Sequence, residues 1–178
     1  MTRLRRSEAG FGLVELIIAM SVLNIGLLTL VAALNSGALA LSRASKLSTA
    51  ATLADQQMEL YRSLRYAELR LDDTELTGDS DSLYTGDSAW NDTLKVVDTT
   101  PGTTACESPI ARECDPSREV TGPDGGKYRI DVYVIEDVPQ GLTQARPVRI
   151  VTVVVRDGYD SSRTYVRQQT TFDQSTAG

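Results

Sequence analysis

Histidine is absent from the 178 residues, and cysteine occurs only twice. Without imidazole the chain lacks the commonest proton shuttle and the commonest metal ligand, which lowers the case for acid–base chemistry and for zinc. Positive charge is scarce as well: 18 Lys and Arg stand against 24 Asp and Glu, a net of −6. That balance gives no basic footprint for a phosphate backbone, so nucleic acid is disfavoured as a partner. A serine triad is impossible without histidine, and Lys46, Lys95 and Lys127 single out no Ser-Lys pair. Neither common glycine-rich phosphate loop occurs. The chain reads as a non-enzyme, with no catalytic residue, no cofactor and no metal ligand set to assign.

Two further absences are informative about shape. No charged side chain occurs between residues 16 and 42, and within Phe11 to Leu34 the only ionisable one is Glu15. Those 24 residues make a helix ~36 Å long, enough for a hydrocarbon layer of ~30 Å. A buried core helix is the alternative, but core helices rarely stay apolar on every face for so long. Proline is missing until Pro101, and the interval from Ser42 to Leu71 is rich in helix formers. Leu47, Ala51, Ala54, Met58 and Tyr61 recur at three- and four-residue steps, so the helix is expected to continue to about Leu71. A helix of this length exceeds what the remaining residues cover, and its apolar end needs lipid or neighbouring copies.

Arg3, Arg5 and Arg6 precede the apolar run, and the acidic remainder follows it. The positive-inside bias places the N-terminus in the cytoplasm, with everything beyond about Leu41 exported. A cleaved secretory signal is the competitor, with Ala38-Leu39-Ala40 as its cleavage site. The helical pattern continuing past that point argues against removal. Glu15 is costly at a bilayer centre and marks a functional site with a partner cation; a carboxylate resting at headgroup level is the equal alternative.

The run Glu8-Ala9-Gly10-Phe11-Gly12-Leu13-Val14-Glu15-Leu16 resembles the N-terminal signature of type IV prepilins and related pseudopilins. In that family a basic leader ends in glycine, and a glutamate stands fifth in the mature chain. The resemblance implies that a prepilin peptidase cuts between Gly10 and Phe11, that Phe11 is N-methylated, and that Glu15 sets register by pairing with the Phe11 amino group of a neighbouring subunit. Loss of the leader removes three arginines and one glutamate, leaving 15 basic and 23 acidic residues, a net of −8. The implied partners are other pilin subunits, the peptidase and the pilus assembly machinery. The location is the cytoplasmic membrane, single-pass with the N-terminus inside, then the cell surface. Gly12 stands where many prepilins have Thr or Ser, and Ala32 where many major pilins have a helix-breaking proline. The stretches Val22–Leu28 and Leu53–Glu59 look similar to minor pilins of the pilus-modification type.

From Asp72 to Asp98 eight acidic residues face Lys95 alone, which reads as a solvated connecting loop. Calcium is the alternative, although the spacing does not reproduce a known calcium loop. Asn91-Asp92-Thr93 matches the short glycosylation pattern. Cys106 and Cys114, an even pair in an exported segment, favour a disulfide, with two free thiols as the alternative. Beyond Lys127 the periodicity becomes strand-like. Tyr128, Ile130, Val132 and Val134 alternate with other residues, Val148 to Val155 forms a dense β-branched run, and Arg163 to Phe172 alternates more polarly. Three strands follow, the dense one central, the polar one at an edge, with a turn at 157–160 and a frayed tail from Asp173.

The expected fold is α+β, one long N-terminal helix packed by its second half against a small antiparallel sheet. Its parts are a leader (1–10), a hydrophobic transmembrane or filament-core helix (11–41), an amphipathic continuation (42–71), a connecting loop with a disulfide (72–126) and strands with a tail (127–178). Three functions compete: a pilus subunit, a minor one by preference; a pseudopilin of a secretion or DNA-uptake system; and a single-pass anchored binding domain. A DNA-uptake role needs a local basic patch, for which Arg146, Arg149, Arg163 and Arg167 are the candidates.

Overall fold

The structure is a computed structural model and describes residues 12–72, 76, 81–98, 114–139 and 146–174. The chain divides into two units, Met1–Ala44 and Ser45–Gly178. A single helix, α1 (Leu13–Ser63), contributes to both. In the second unit it is followed by a 3-10 turn (Tyr66–Glu68), β1 (Leu71–Asp72), α2 (Ser82–Thr85), β2 (Val97–Asp98), β3 (Ser117–Thr121), β4 (Lys127–Asp137), β5 (Val148–Asp157) and β6 (Thr164–Asp173). Strands β3 to β6 form one antiparallel sheet in chain order, and β1 pairs with β2 in parallel. The expected α+β architecture is present, with the second half of α1 packed on this sheet.

The packing follows from side-chain size. Ala50, Ala54, Met58 and Tyr61 line one face of α1 and are buried. The two alanines let the helix come close, and Met58 and Tyr61 fill the space beyond. They share a core with Tyr128, Ile130, Val132 and Val134 of β4 and Val151, Val153 and Val155 of β5. Leu47, expected on the buried stripe, is half exposed. The stripe instead continues through Thr49 and Gln57, and Gln57 accepts a hydrogen bond from Arg118 at 2.6 Å.

The helix ends at Ser63, short of the expected Leu71. No glycine or proline stops it. Arg65 turns extended, with ψ 152°, and Arg149 of β5 donates to the carbonyls of Tyr66 (2.5 Å) and Leu69 (3.1 Å). A tertiary donor thus replaces the amides that a continuing helix would supply, and the turn carries Leu69 and Leu71 into the core.

The segment expected to be a solvated loop contains more structure than its composition suggests. It adds a fourth strand, β3, at the sheet edge beside β4, and residues 81–90 cover the outer face of the sheet, while Leu94–Val96 bond along β4. Tyr84 stacks on Tyr133, ring centroids 4.5 Å apart, and Trp90 meets Tyr84 edge-on at 5.5 Å. The Tyr84 hydroxyl donates to the Val132 carbonyl at 2.5 Å. With α1 on one face and this segment on the other, β5 is buried from Val151 to Asp157, which explains its unbroken β-branched run. Strand β6 lies at the edge, as expected, and extends to Asp173, where the tail was expected to begin.

Candidate assembly segment

Helix α1 opens at Gly12, whose carbonyl accepts from the amides of Glu15 (3.0 Å) and Leu16 (3.2 Å). Glu15 therefore lies in the first turn, where a carboxylate complements the helix dipole. Among the described residues no cation pairs with it. Gly10 and Phe11 lie outside the described residues, so the cleavage and methylation expected there remain proposals.

From Gly12 to Ser45 every residue is exposed. These include large apolar side chains on all sides of the helix, among them Leu13, Ile17, Met20, Leu23, Leu27, Leu30 and Leu34. No residue of this stretch is buried within the chain. Three of the polar side chains bond back to carbonyls of the helix. Ser21 donates to Ile17 O (2.9 Å), Asn24 to Met20 O (2.9 Å) and Thr29 to Gly26 O (2.8 Å). Such back-bonding pairs the hydroxyl donors of Ser21 and Thr29 and one amide donor of Asn24, which lowers the cost of an apolar environment. The segment is thus long and apolar enough to cross a bilayer, and equally suited to packing against copies of itself.

A second constellation, which sequence reasoning missed, sits on the outer face of the sheet. Register places Arg129 directly opposite Arg156, a like-charge pair that is unfavourable alone. Asp131, fully buried, resolves it: one oxygen accepts from Arg129 Nε at 2.7 Å and the other from Arg156 Nε at 2.8 Å. Ser117 Oγ adds a third bond at 2.8 Å. Arg129 also pairs with Asp81, and Arg156 with Asp87, which in turn takes Arg167 Nη2 at 2.7 Å. Burial pushes Asp87 upward, but hydrogen bonds from Arg167 and the Ala89 amide and the charges of both arginines outweigh it, so its carboxyl titrates below the usual range. Asp81 behaves likewise: burial opposes, and the amide of Leu83 with the Arg129 guanidinium prevails. The network fastens residues 81–87 to the sheet. Its sequence signal was a charge of each sign, Asp131 and Arg156, inside otherwise apolar strands.

This geometry corrects two expectations, one about the acidic segment and one about a basic patch. Asp81 and Asp87 are partners of arginine rather than solvated loop charges or calcium ligands. Arg149 and Arg167 are engaged with Glu136 and Asp87, which removes two of the four residues considered for a basic DNA-binding patch. The Asn91 side chain accepts from the amides of Thr93 and Leu94, serving a turn. Cys106 lies outside the described residues. Cys114 is buried, and its carbonyl accepts from the Asp72 amide at 3.0 Å.

The chain has no match among curated proteins and none among solved structures. Residues 5–31 match the family model described as the prokaryotic N-terminal methylation motif, a span that includes Gly10, Phe11 and Glu15. The N-terminus is therefore similar to that of type IV pilins: residues 5–31 carry a prokaryotic N-terminal methylation motif, and the apolar helix α1 begins within it at Leu13.

Proposed function

We propose that the chain is a structural subunit of a type IV pilus or related filament, a minor or accessory pilin rather than the bulk fibre protein. It is held in the cytoplasmic membrane by its helix with the N-terminus inside, cut between Gly10 and Phe11 by a prepilin peptidase, methylated at Phe11, and then drawn into a filament by the assembly machinery. The observation that carries this reading is the exposed apolar segment Gly12–Ser42, which begins within the methylation motif matched over residues 5–31 and continues beyond it. Outside lipid such a surface is stable only against other helices of its kind. Chain release then consists of trading a lipid environment for a protein one.

In the filament Glu15 pairs with the Phe11 amino group of an adjacent subunit. Each charge alone is costly in an apolar bundle, so register errors that separate them are penalised. The Cys106–Cys114 disulfide closes a short loop ahead of β3 and stabilises the exported unit. Mass spectrometry of the surface-exposed protein tests the reading: the chain should begin at Phe11 with one added methyl group, and a chain beginning at Met1 sinks it. Glu15→Ala should leave the protein in the membrane fraction but reduce its recovery in sheared filaments by on the order of a hundredfold, since leaving one buried charge unpaired costs about 3 to 5 kcal/mol.

A further inference from the structure

The segment that covers the outer face of the sheet stops short of its end. Tyr84 packs on Tyr133 and Val154, and Asp87 is fixed by Arg156 and Arg167, but after Trp90 the chain leaves to bond along the edge of β4 through Leu94 and Val96. Ile135 and Ile150, opposite one another in register, are therefore only partly covered. A cavity of about 270 Å³ remains there. Its floor is made by these two isoleucines with Thr152 and Gln169. One wall is the indole of Trp90, held edge-on to Tyr84 at 5.5 Å and under Lys95 Nζ at 5.3 Å.

The polar groups of this cavity have hydrogen-bonding capacity that the fold leaves unused. Thr152 is 5 % exposed and lines the cavity, and among the described residues nothing bonds its hydroxyl. A buried hydroxyl without a partner is uncommon in a folded chain and calls for one from outside. Gln169, opposite Thr152 in register, keeps its whole side-chain amide free among the described residues. Asn91 spends its Oδ1 on the amides of Thr93 and Leu94 and retains the N–H donors of Nδ2, and the indole N–H of Trp90 is also uncommitted. The nearby charges, by contrast, are consumed. Arg167 Nη2 bonds the two oxygens of Asp87 at 2.8 and 2.7 Å, and Lys95 bonds Asp92 at 2.8 Å. Among the described residues no carboxylate lines the cavity.

We propose that this cavity takes one neutral pyranose unit of a glycan. A sugar ring matches the lining on both counts: its C–H groups suit Ile135, Ile150 and the indole, and its hydroxyls donate to and accept from Thr152, Gln169 and Asn91. An aliphatic side chain would fill the floor and leave those polar groups unpaired. An anion finds no surplus cation, a cation finds no carboxylate, and a nucleotide would bring phosphates to a chain of net charge −6. The volume falls just under the ~300 to 1,000 Å³ of sites for drug-sized ligands, which suits a single ring rather than an oligosaccharide buried whole. The site lies within the unit Ser45–Gly178, so it stands whether or not the chain enters a filament.

Trp90 is the only tryptophan of the chain, so its fluorescence reports the cavity directly. The full chain, in a polyoxyethylene detergent that carries no sugar headgroup, is titrated with the methyl glycosides of glucose, galactose, mannose and N-acetylglucosamine. At least one should change the Trp90 emission saturably with a Kd on the order of 1 mM, as a ligand of about a dozen non-hydrogen atoms gives at modest efficiency. Thr152→Val keeps the β-branched shape and should weaken that binding on the order of tenfold, while the urea midpoint stays level or rises, because the hydroxyl it removes has no partner within the fold. Gln169→Ala, at an exposed strand position, should weaken it to a similar extent. Absence of both an emission change and saturation transfer from the protein to every glycoside overturns the site. Binding that neither substitution alters overturns it as well, by putting the sugar elsewhere. A response to methyl phosphate in place of the glycosides overturns the neutral class in favour of an anion at Arg167, and an emission change on filament assembly alone overturns the proposal in favour of a neighbouring subunit's side chain.

Discussion

Asp87 illustrates how one side chain changes meaning between sequence and structure. It stands in an acidic, Gly- and Ser-rich stretch, yet its carboxylate is 4 % exposed and joins Arg156 and Arg167. Removing it takes one of the two carboxylates from the buried Arg156 guanidinium, which keeps Asp131, so Asp87→Ala should destabilise the folded unit by about 1.5 to 3 kcal/mol, read by urea unfolding. The pH dependence has a definite sign. The folded carboxyl titrates below its ordinary value, so its stabilisation is complete above the unfolded value of about 3.9 and disappears as pH falls through the lower folded one. The melting temperature should therefore hold from neutral pH down to about 5 and drop below about 4. Asp87→Asn should lower it at neutral pH and flatten the acid limb. An acid limb unchanged by that substitution would place the titrating groups elsewhere.

At the scale of elements, the end of α1 is decided by β5. Good helix formers continue past Ser63, and local propensity alone carries the helix to about Leu71. Arg149 intervenes from across the core, with its guanidinium 4.6 Å over the Tyr66 ring and bonded to two backbone carbonyls. Hydrogen bonds from a charged donor of this kind contribute about 1.5 to 3 kcal/mol each. Arg149→Met keeps the apolar stem and removes the donors. It should cost roughly 2 kcal/mol or more in denaturant unfolding, and amide exchange should accelerate first around residues 64–72. Uniform acceleration across the sheet would show instead that Arg149 acts on the whole unit. The strands were easier to read than this boundary, because Tyr128, Ile130, Val132 and Val134 alternate regardless of what covers them. The short strand β3 escaped notice because Ser117–Thr121 has no apolar alternation; its place comes from pairing with β4.

For the molecule as a whole, the two units differ in what stabilises them. The unit Ser45–Gly178 encloses its own core on the helix face of the sheet and a second cluster of Tyr84, Tyr133 and Val154 on the other. Before it, none of the described residues 12–44 is buried. A fragment comprising Ser45–Gly178 should accordingly fold alone, unfold in one cooperative transition and stay monomeric without detergent, as checked by circular dichroism and sedimentation. The full chain should require detergent or lipid. Aggregation of the fragment would mean that the apolar helix contributes to folding of the head. Sequence by itself determined the length and apolar character of the N-terminal helix, the position of Glu15 and the alternation of the main strands, because hydropathy and periodicity are local properties of the chain. Only the tertiary structure decided where α1 stops, that a fourth strand closes the sheet, and that Asp81, Asp87, Asp131, Arg129 and Arg156 form one buried network. Those features depend on which residues meet across distances in sequence that no local pattern encodes.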